Sequence, residues 1–113
     1  MKTDRELLEL AAKAVGLAVR APFRHGEFRV SGEDWISYPW NPLNDDGDAL
    51  RLAVNLRMEI DHNHPADETM WVSVRAANQS LSEVEEIDGE SQREAATRRA
   101  IVLAAAAIGE SMS

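Results

Sequence analysis

Cysteine is absent from this chain of 113 residues, and basic side chains are few. Without cysteine, the sequence excludes disulfides, thiolate nucleophiles and thiolate zinc sites. Twelve Lys and Arg residues stand against twenty Asp and Glu residues, which gives a formal net charge of −8 at pH 7. Proteins that bind nucleic acid or anionic lipid without sequence preference need clustered cations to replace counterions. The composition therefore predicts no direct nucleic-acid binding and no binding to a membrane surface.

Long apolar runs are also absent. The longest runs from Ala100 to Ile108, nine residues, whereas a membrane-spanning helix needs about 20. The first six residues include Asp4 and Glu6, where a signal peptide has a basic start followed by an apolar segment. The length suits one domain and no second core. We expect a soluble, cytoplasmic protein with a single domain over residues 1–113.

Aromatic residues are few and unevenly placed. Five of the six fall within residues 23–40, and the sixth is Trp71. The charge is skewed the other way: residues 1–40 hold six basic and six acidic side chains, and residues 41–113 hold six basic and fourteen acidic ones. The excess negative charge therefore belongs to the second part of the chain.

Capping and periodicity predict three helices separated by strands. Thr3 to Glu6 fits a capping box that starts a helix at Asp4, and Gly16 follows its predicted end at Val15. Acids before residue 49 and an apolar stripe over 49–56 predict a second helix. Ser91 to Glu94 resembles another capping box, opening an alanine-rich helix that ends near Gly109. Between the helices we expect two or three strands each time. Residues 81–87 also have a helical spacing of apolar residues, but the segment is short and ends at Asp88-Gly89, which favours a last strand there.

Few residues suggest catalysis or metal binding. His62 and His64, with Asp67 nearby, are spaced so that two imidazoles on an extended chain face one ion, which gives a small metal-dependent hydrolase as one hypothesis. No third histidine or cysteine lies in this segment, and a solvated polar loop explains it better. Residues 44–48 fail as a calcium loop, because position twelve would be Ala53. We therefore predict no enzyme activity, no cofactor and no metal.

The acids near the end of the chain form the densest charged segment. The simpler interpretation is a solvated surface that aids solubility. The more specific one is a surface that mimics nucleic acid and binds the basic groove of a nucleic-acid-binding protein. The partner-binding residues under that second interpretation are Glu83, Glu85, Glu86, Asp88, Glu90 and Glu94.

Two apolar features permit more than one interpretation. The helix over 100–108 is apolar on all sides, so it is buried within the domain or it packs against a second copy in a homodimer. Trp35, Tyr38 and Trp40 form either part of the core or an exposed recognition surface, and the core interpretation is favoured for clustered aromatics.

Two segments resemble the paired signatures of small bacteriophage and prophage proteins with the phage ABA-sandwich domain. They are WNPLNDDGDALRLAVNL at residues 40–56 and ATRRAIVLAAAAIG at residues 96–109. The resemblance implies a three-layer α/β/α sandwich of the α+β class, with a central, mainly antiparallel sheet of four to five strands and three helices. It implies a phage or prophage gene expressed in the cytoplasm of a bacterial host, and it implies no particular activity.

The motif residues have structural explanations. Trp40 and Pro42 would fix the entry into the second helix, and the run of Asp45, Asp46, Gly47 and Asp48 would cap it. Arg98 or Arg99 would pair with those acids. We therefore expect a non-enzymatic phage accessory protein that binds a host or phage protein. An inhibitor of a host CRISPR or restriction defence is the alternative, through the acidic segment.

Overall fold

The computed structural model describes residues 2–20, 26–63, 69–76 and 82–112. Within these residues the chain has an α+β fold with three α-helices and six β-strands. The helices are α1 (Asp4–Ala14), α2 (Asp46–Asn55) and α3 (Arg93–Ser111). The strands are β1 (Ala18–Val19), β2 (Arg29–Ser31), β3 (Ser37–Pro39), β4 (Met58–His62), β5 (Trp71–Ala76) and β6 (Ser82–Glu86). The three helices, and a strand after residue 81, agree with the sequence prediction.

Helix α1 begins as its sequence predicts. The Thr3 hydroxyl accepts from the amide of Glu6, and the Thr3 amide donates to the Glu6 carboxylate. These reciprocal bonds satisfy amides that a helix start leaves free. The hydrogen bond that the Thr3 amide donates to the Glu6 carboxylate lowers the pKa of Glu6, because it favours the ionised form. Gly16 ends the helix at φ +75°, in the left-handed region.

The described strands form two antiparallel sheets of three, in the orders β1-β2-β3 and β4-β5-β6. This differs from the prediction of one central sheet of four to five strands. The strands of the first sheet are two or three residues long, and β3 ends at Pro39, which has no amide to donate. The ladder closes with the Trp40 amide donating to the Phe28 carbonyl, after which the chain turns into α2. Pro39, Pro42 and α2 thus separate the two sheets in sequence.

Helix α3 is the centre of the core. Helices α1 and α2 pack on it, and so do strands β5 and β6. Its buried residues include Ala100, Val102 and Ala105, each with 0% exposure. The apolar surface that suggested a homodimer is therefore largely covered within the chain. None of the described helices combines the length and the hydrophobicity that a membrane crossing requires.

Gly109 brings α1 and α3 unusually close together. A Cβ atom at this position would overlap the carbonyl oxygen of Leu10 and lie 2.8 Å from its carbonyl carbon. The sequence prediction placed the end of the helix near this glycine, but α3 continues to Ser111. Gly109 therefore serves close helix packing rather than helix termination.

The start of α3 also differs from the prediction. The N-cap is Gln92, which makes no side-chain capping bond, and a single 3-10 turn over Glu90–Gln92 precedes the helix. Ser91 and Glu94 thus do not form the predicted capping box. Arg93 holds this start instead: its guanidinium donates to Glu90, to Asn63 and to the Trp71 carbonyl oxygen.

Candidate functional site

The β2–β3 hairpin presents two large apolar side chains to solvent at its turn. We call residues 32–36 the hairpin tip. Trp35 is 75% exposed and Ile36 is 68% exposed. The Trp35 amide donates to the Gly32 carbonyl at 3.4 Å, and the Ile36 amide donates to the Asp34 carboxylate at 3.2 Å. These local bonds fix the turn that directs both side chains outward.

Trp35 has a backbone conformation that tryptophan rarely adopts. Its φ is +63°, in the left-handed region. For residues with a Cβ atom this region costs roughly 1–2 kcal/mol, and a bulky side chain is a marked outlier there. Such strain persists where the surrounding structure enforces it, often at sites that bind other molecules. The hairpin therefore maintains an exposed indole at a cost in stability.

Arg20 packs against one face of the Trp35 indole. Its guanidinium carbon lies 4.8 Å from the Trp35 ring centroid, within the range of a cation–π interaction. Its Nε donates to the hydroxyl of buried Ser31 at 2.6 Å, which ties the guanidinium to β2. The Trp35 ring is thus held in place by its neighbours while most of its surface faces solvent.

The prediction for the aromatic cluster holds for only one of its three members. Trp40 is 5% exposed and packs against Phe28, with ring centroids 6.1 Å apart. Trp35 and Tyr38 lie outside the core, the latter 41% exposed. Burial of Trp40 follows from its position at the end of the β3 ladder, where its amide bonds to Phe28. The core interpretation is therefore correct for Trp40 and wrong for the other two.

A second candidate surface lies on the face of the β4-β5-β6 sheet that points away from α3. Strand register places Trp71 opposite Glu86, and Ser73 opposite Val84. These residues line an open groove of about 610 Å³ together with Asp88. We call it the outer groove; Thr69, Met70 and Ile87 complete its lining. Val84 is 57% exposed, and no described helix packs against this face.

Asn63 fixes the edge of the outer groove. Its side-chain oxygen accepts from the Trp71 amide at 2.9 Å, and its side-chain nitrogen donates to the Thr69 carbonyl at 2.9 Å. Arg93 also donates to that oxygen, at 3.0 Å. Asn63 is 8% exposed, so these bonds satisfy a buried amide. They tie β4, the start of β5 and the start of α3 into one rigid corner beside Trp71.

The six acids singled out in the sequence do not share one face. Strand alternation puts Glu83 and Glu85 on the α3 side of β6 and Glu86 on the other side. Glu85 lies 3.8 Å from the Arg99 guanidinium. Glu90 is bonded by Arg93, which lowers the pKa of that carboxyl. Asp88 borders the outer groove with Glu86, and Glu94 borders a separate groove between α2, α3 and β4.

The motif residues surround the start of α2. Trp40 and Pro42 are buried, and the Asp45 carboxylate accepts from the amide of Asp48 at 2.8 Å as the helix N-cap. The Asp48 carboxylate in turn accepts from the amide of Asn41 at 2.9 Å. Gly47 lies in the first turn, where a Cβ would come 3.2 Å from the Asp45 carboxylate.

The two arginines of the second motif have different partners. Arg98 donates to the Asp46 carboxylate and, at 2.9 Å, to the Leu43 carbonyl, so it fastens the start of α2 to α3. Arg99 lies 3.8 Å from both Asp4 and Glu85. Among the described residues, these contacts are structural ones between helices and the second sheet.

His62 is exposed at the end of β4, and its Nδ1 lies 3.0 Å from the Arg93 guanidinium. An arginine only donates, so this ring nitrogen acts as the acceptor. His64 and Asp67, the other residues of the metal hypothesis, lie outside the described residues. Across the described ranges no three His, Asp or Glu side chains are grouped to hold a metal ion.

Sequence reasoning did not identify the outer groove. The signal was present in β5, where Trp71 alternates with the apolar Val72 and Val74 and therefore shares a face with Ser73. A tryptophan on the polar side of an alternating strand indicates either a second core or an exposed site.

Comparison of the chain with protein-family models, with curated proteins and with solved structures finds no match in any of the three.

Proposed function

We propose that this protein is a non-enzymatic binding module that attaches to a partner protein through its hairpin tip. The observation that carries the proposal is Trp35, whose indole is 75% exposed at a backbone φ of +63°. Tryptophan is the residue type most enriched where binding energy is concentrated at protein interfaces. Ile36 adds a second apolar anchor beside it.

The resemblance to phage ABA-sandwich proteins supplies the setting of the proposal. Under this proposal the chain is a phage or prophage accessory protein in a bacterial cytoplasm. Its family fold is a three-layer sandwich, and its partner is a host or phage protein. The distribution of the acids favours this function over nucleic-acid mimicry. Mimicry needs spaced negative charge on one face, whereas Glu83 and Glu86 lie on opposite faces of β6 and Glu90 is bonded by Arg93.

The proposal is tested by affinity capture from a bacterial lysate with three immobilised proteins, followed by identification of what each retains. The first is the unchanged chain and the second is Trp35→Asn/Ile36→Ser, because asparagine tolerates the left-handed conformation and the turn is preserved. The third is the matched control Leu50→Gln/Val54→Gln, which removes two similarly exposed apolar residues, 62% and 66%, from α2.

We expect a protein retained by the unchanged chain and by the α2 control, and reduced about tenfold or more by the hairpin variant, since the loss of an anchor residue costs about 2 kcal/mol or more. Equal retention by the hairpin variant would contradict the proposal. So would loss of the same protein from the α2 control alone. Circular dichroism of all three proteins verifies that the substitutions leave the fold intact.

A further inference from the structure

The outer groove combines an apolar floor with surrounding side chains that are negatively charged. Trp71 and Val84 provide the apolar surface, and both flank Ser73 on the same face of the sheet. Around them lie three carboxylates: Glu86 opposite Trp71, Asp61 opposite Ser73, and Asp88 just after β6. None of these three forms an ion pair among the described residues.

Of the residues that the structure describes on this face, the one basic side chain is already neutralised. Arg75 on β5 lies opposite Glu59 on β4, and the two side chains form a hydrogen-bonded ion pair at 2.5 Å. His62 lies on the α3 side of β4, where its ring is hydrogen-bonded with Arg93. Among described residues, Glu86 and Asp88 in the outer groove and Asp61 beside it are therefore three negative charges without an ion pair, close to an indole.

The geometry suits a cation with an aliphatic stem. Directly opposed side chains in an antiparallel sheet have Cβ atoms about 5 Å apart, and diagonal ones about 7–8 Å. Glu86 is directly opposite Trp71 and Asp61 is diagonal to it, so a cation lying on the indole has carboxylates on both sides. The face of an indole attracts ammonium and guanidinium groups within about 6 Å. The methylene stem of a lysine or arginine would cover Val84.

We propose that the outer groove binds a lysine or arginine side chain on a basic segment of a partner protein. The proposal rests on the binding function above and names the chemistry of a second contact, on a surface separate from the hairpin tip. Charge complementarity identifies the occupant: an apolar or acidic segment would leave the three carboxylates without compensation. The net charge of −8 adds a long-range attraction for such a segment.

The test is an NMR titration of the full chain with an acetylated, amidated peptide Gly-Lys-Gly-Lys-Gly, and with the same peptide carrying norleucine in place of lysine. Norleucine keeps the aliphatic stem and removes the charge. The variant Glu86→Gln/Asp88→Asn removes two charges from the groove. The variant Glu83→Gln/Glu94→Gln removes the same number of charges elsewhere and serves as the matched control.

We expect saturable shifts of the Trp71 indole N–H and the Val84 methyl groups with the lysine peptide, and none with the norleucine peptide. The groove variant should bind about fivefold more weakly, because it loses two exposed ion pairs, while the matched control keeps the affinity of the unchanged chain. Equal weakening in both variants would show a net-charge effect and overturn the proposal, as would shifts that avoid Trp71. Because the hairpin tip is unchanged in all of these proteins, failure here leaves the capture experiment unaffected.

Discussion

At the residue scale, the three tryptophans show how far the neighbouring sequence predicts whether a side chain is buried or exposed. Trp40 is buried, Trp71 is half-buried and Trp35 is exposed, although all three lie in or close to a strand. The clustering of the aromatics predicts burial for Trp35, Tyr38 and Trp40 alike, and of these three only Trp40 is buried. The exposure of Trp35 depends on a five-residue turn and on Arg20, fifteen positions earlier in the chain. No local pattern encodes that contact.

Gly109 gives the clearest prediction for a single residue. The substitution Gly109→Ala places a methyl group against the Leu10 carbonyl, so α1 and α3 must separate. We expect a loss of about 1–3 kcal/mol in the free energy of unfolding, despite the better helix propensity of alanine. Urea denaturation measures it. Gly89→Ala is the control, because a Cβ there meets nothing within 4 Å, and an equal loss in both variants would argue against close packing as the cause.

At the element scale, capping motifs predicted one helix start and failed at another. Thr3 and Glu6 form reciprocal hydrogen bonds within the first turn of α1, so the sequence pattern alone is enough to predict this helix start. Ser91 and Glu94 fit the same capping-box pattern, but the start of α3 is determined by Arg93. Its partners Trp71 on β5 and Asn63 just after β4 lie 22 and 30 residues earlier. Tertiary contacts of this kind override a local preference and leave no signature in the neighbouring sequence.

The Arg93–Glu90 pair makes the start of α3 sensitive to acid. Hydrogen bonds from Arg93 hold the pKa of Glu90 below its ordinary value. A carboxyl whose pKa is lower in the folded state stabilises the fold above its unfolded-state pKa, and this contribution is lost as pH falls through the folded pKa. Glu90→Gln should therefore lower stability at pH 7, with the difference from the unchanged chain closing below about pH 4.

Urea denaturation of both proteins from pH 7 to pH 3 measures that difference. Asp88→Asn is the control, because Asp88 is exposed and has no ion pair among the described residues. A difference between Glu90→Gln and the unchanged chain that stays constant across this pH range would contradict the assignment to the ionised carboxylate.

At the scale of the whole molecule, the three helices and the presence of strands between them follow from capping and periodicity, whereas the division of the strands into two sheets does not. The register of a strand is visible in its alternation, but the choice of neighbouring strands depends on contacts between distant segments. Both sheets nevertheless share one core: Val30 of β2 and Val74 of β5 are each 0% exposed within the same hydrophobic cluster.

A shared core predicts that the two sheets unfold together. Val30→Ala and Val74→Ala should each cost about 2–3 kcal/mol, from the lost methyl groups and the cavity that remains. Each should also lower the protection of amides in both sheets to the same extent, as hydrogen exchange measures it. Selective loss of protection in the substituted sheet alone would show two independently folding units.

The placement of the tryptophans also gives the molecule three natural fluorophores in three environments. Trp40 reports on the interior, where dissolved quenchers do not reach it. Trp71 stands among the carboxylates of the outer groove, so caesium is concentrated around it and iodide is repelled. Trp35 is open to both ions, with a guanidinium on one side of its ring. A neutral, a cationic and an anionic quencher therefore distinguish the core, the outer groove and the hairpin tip without any added label.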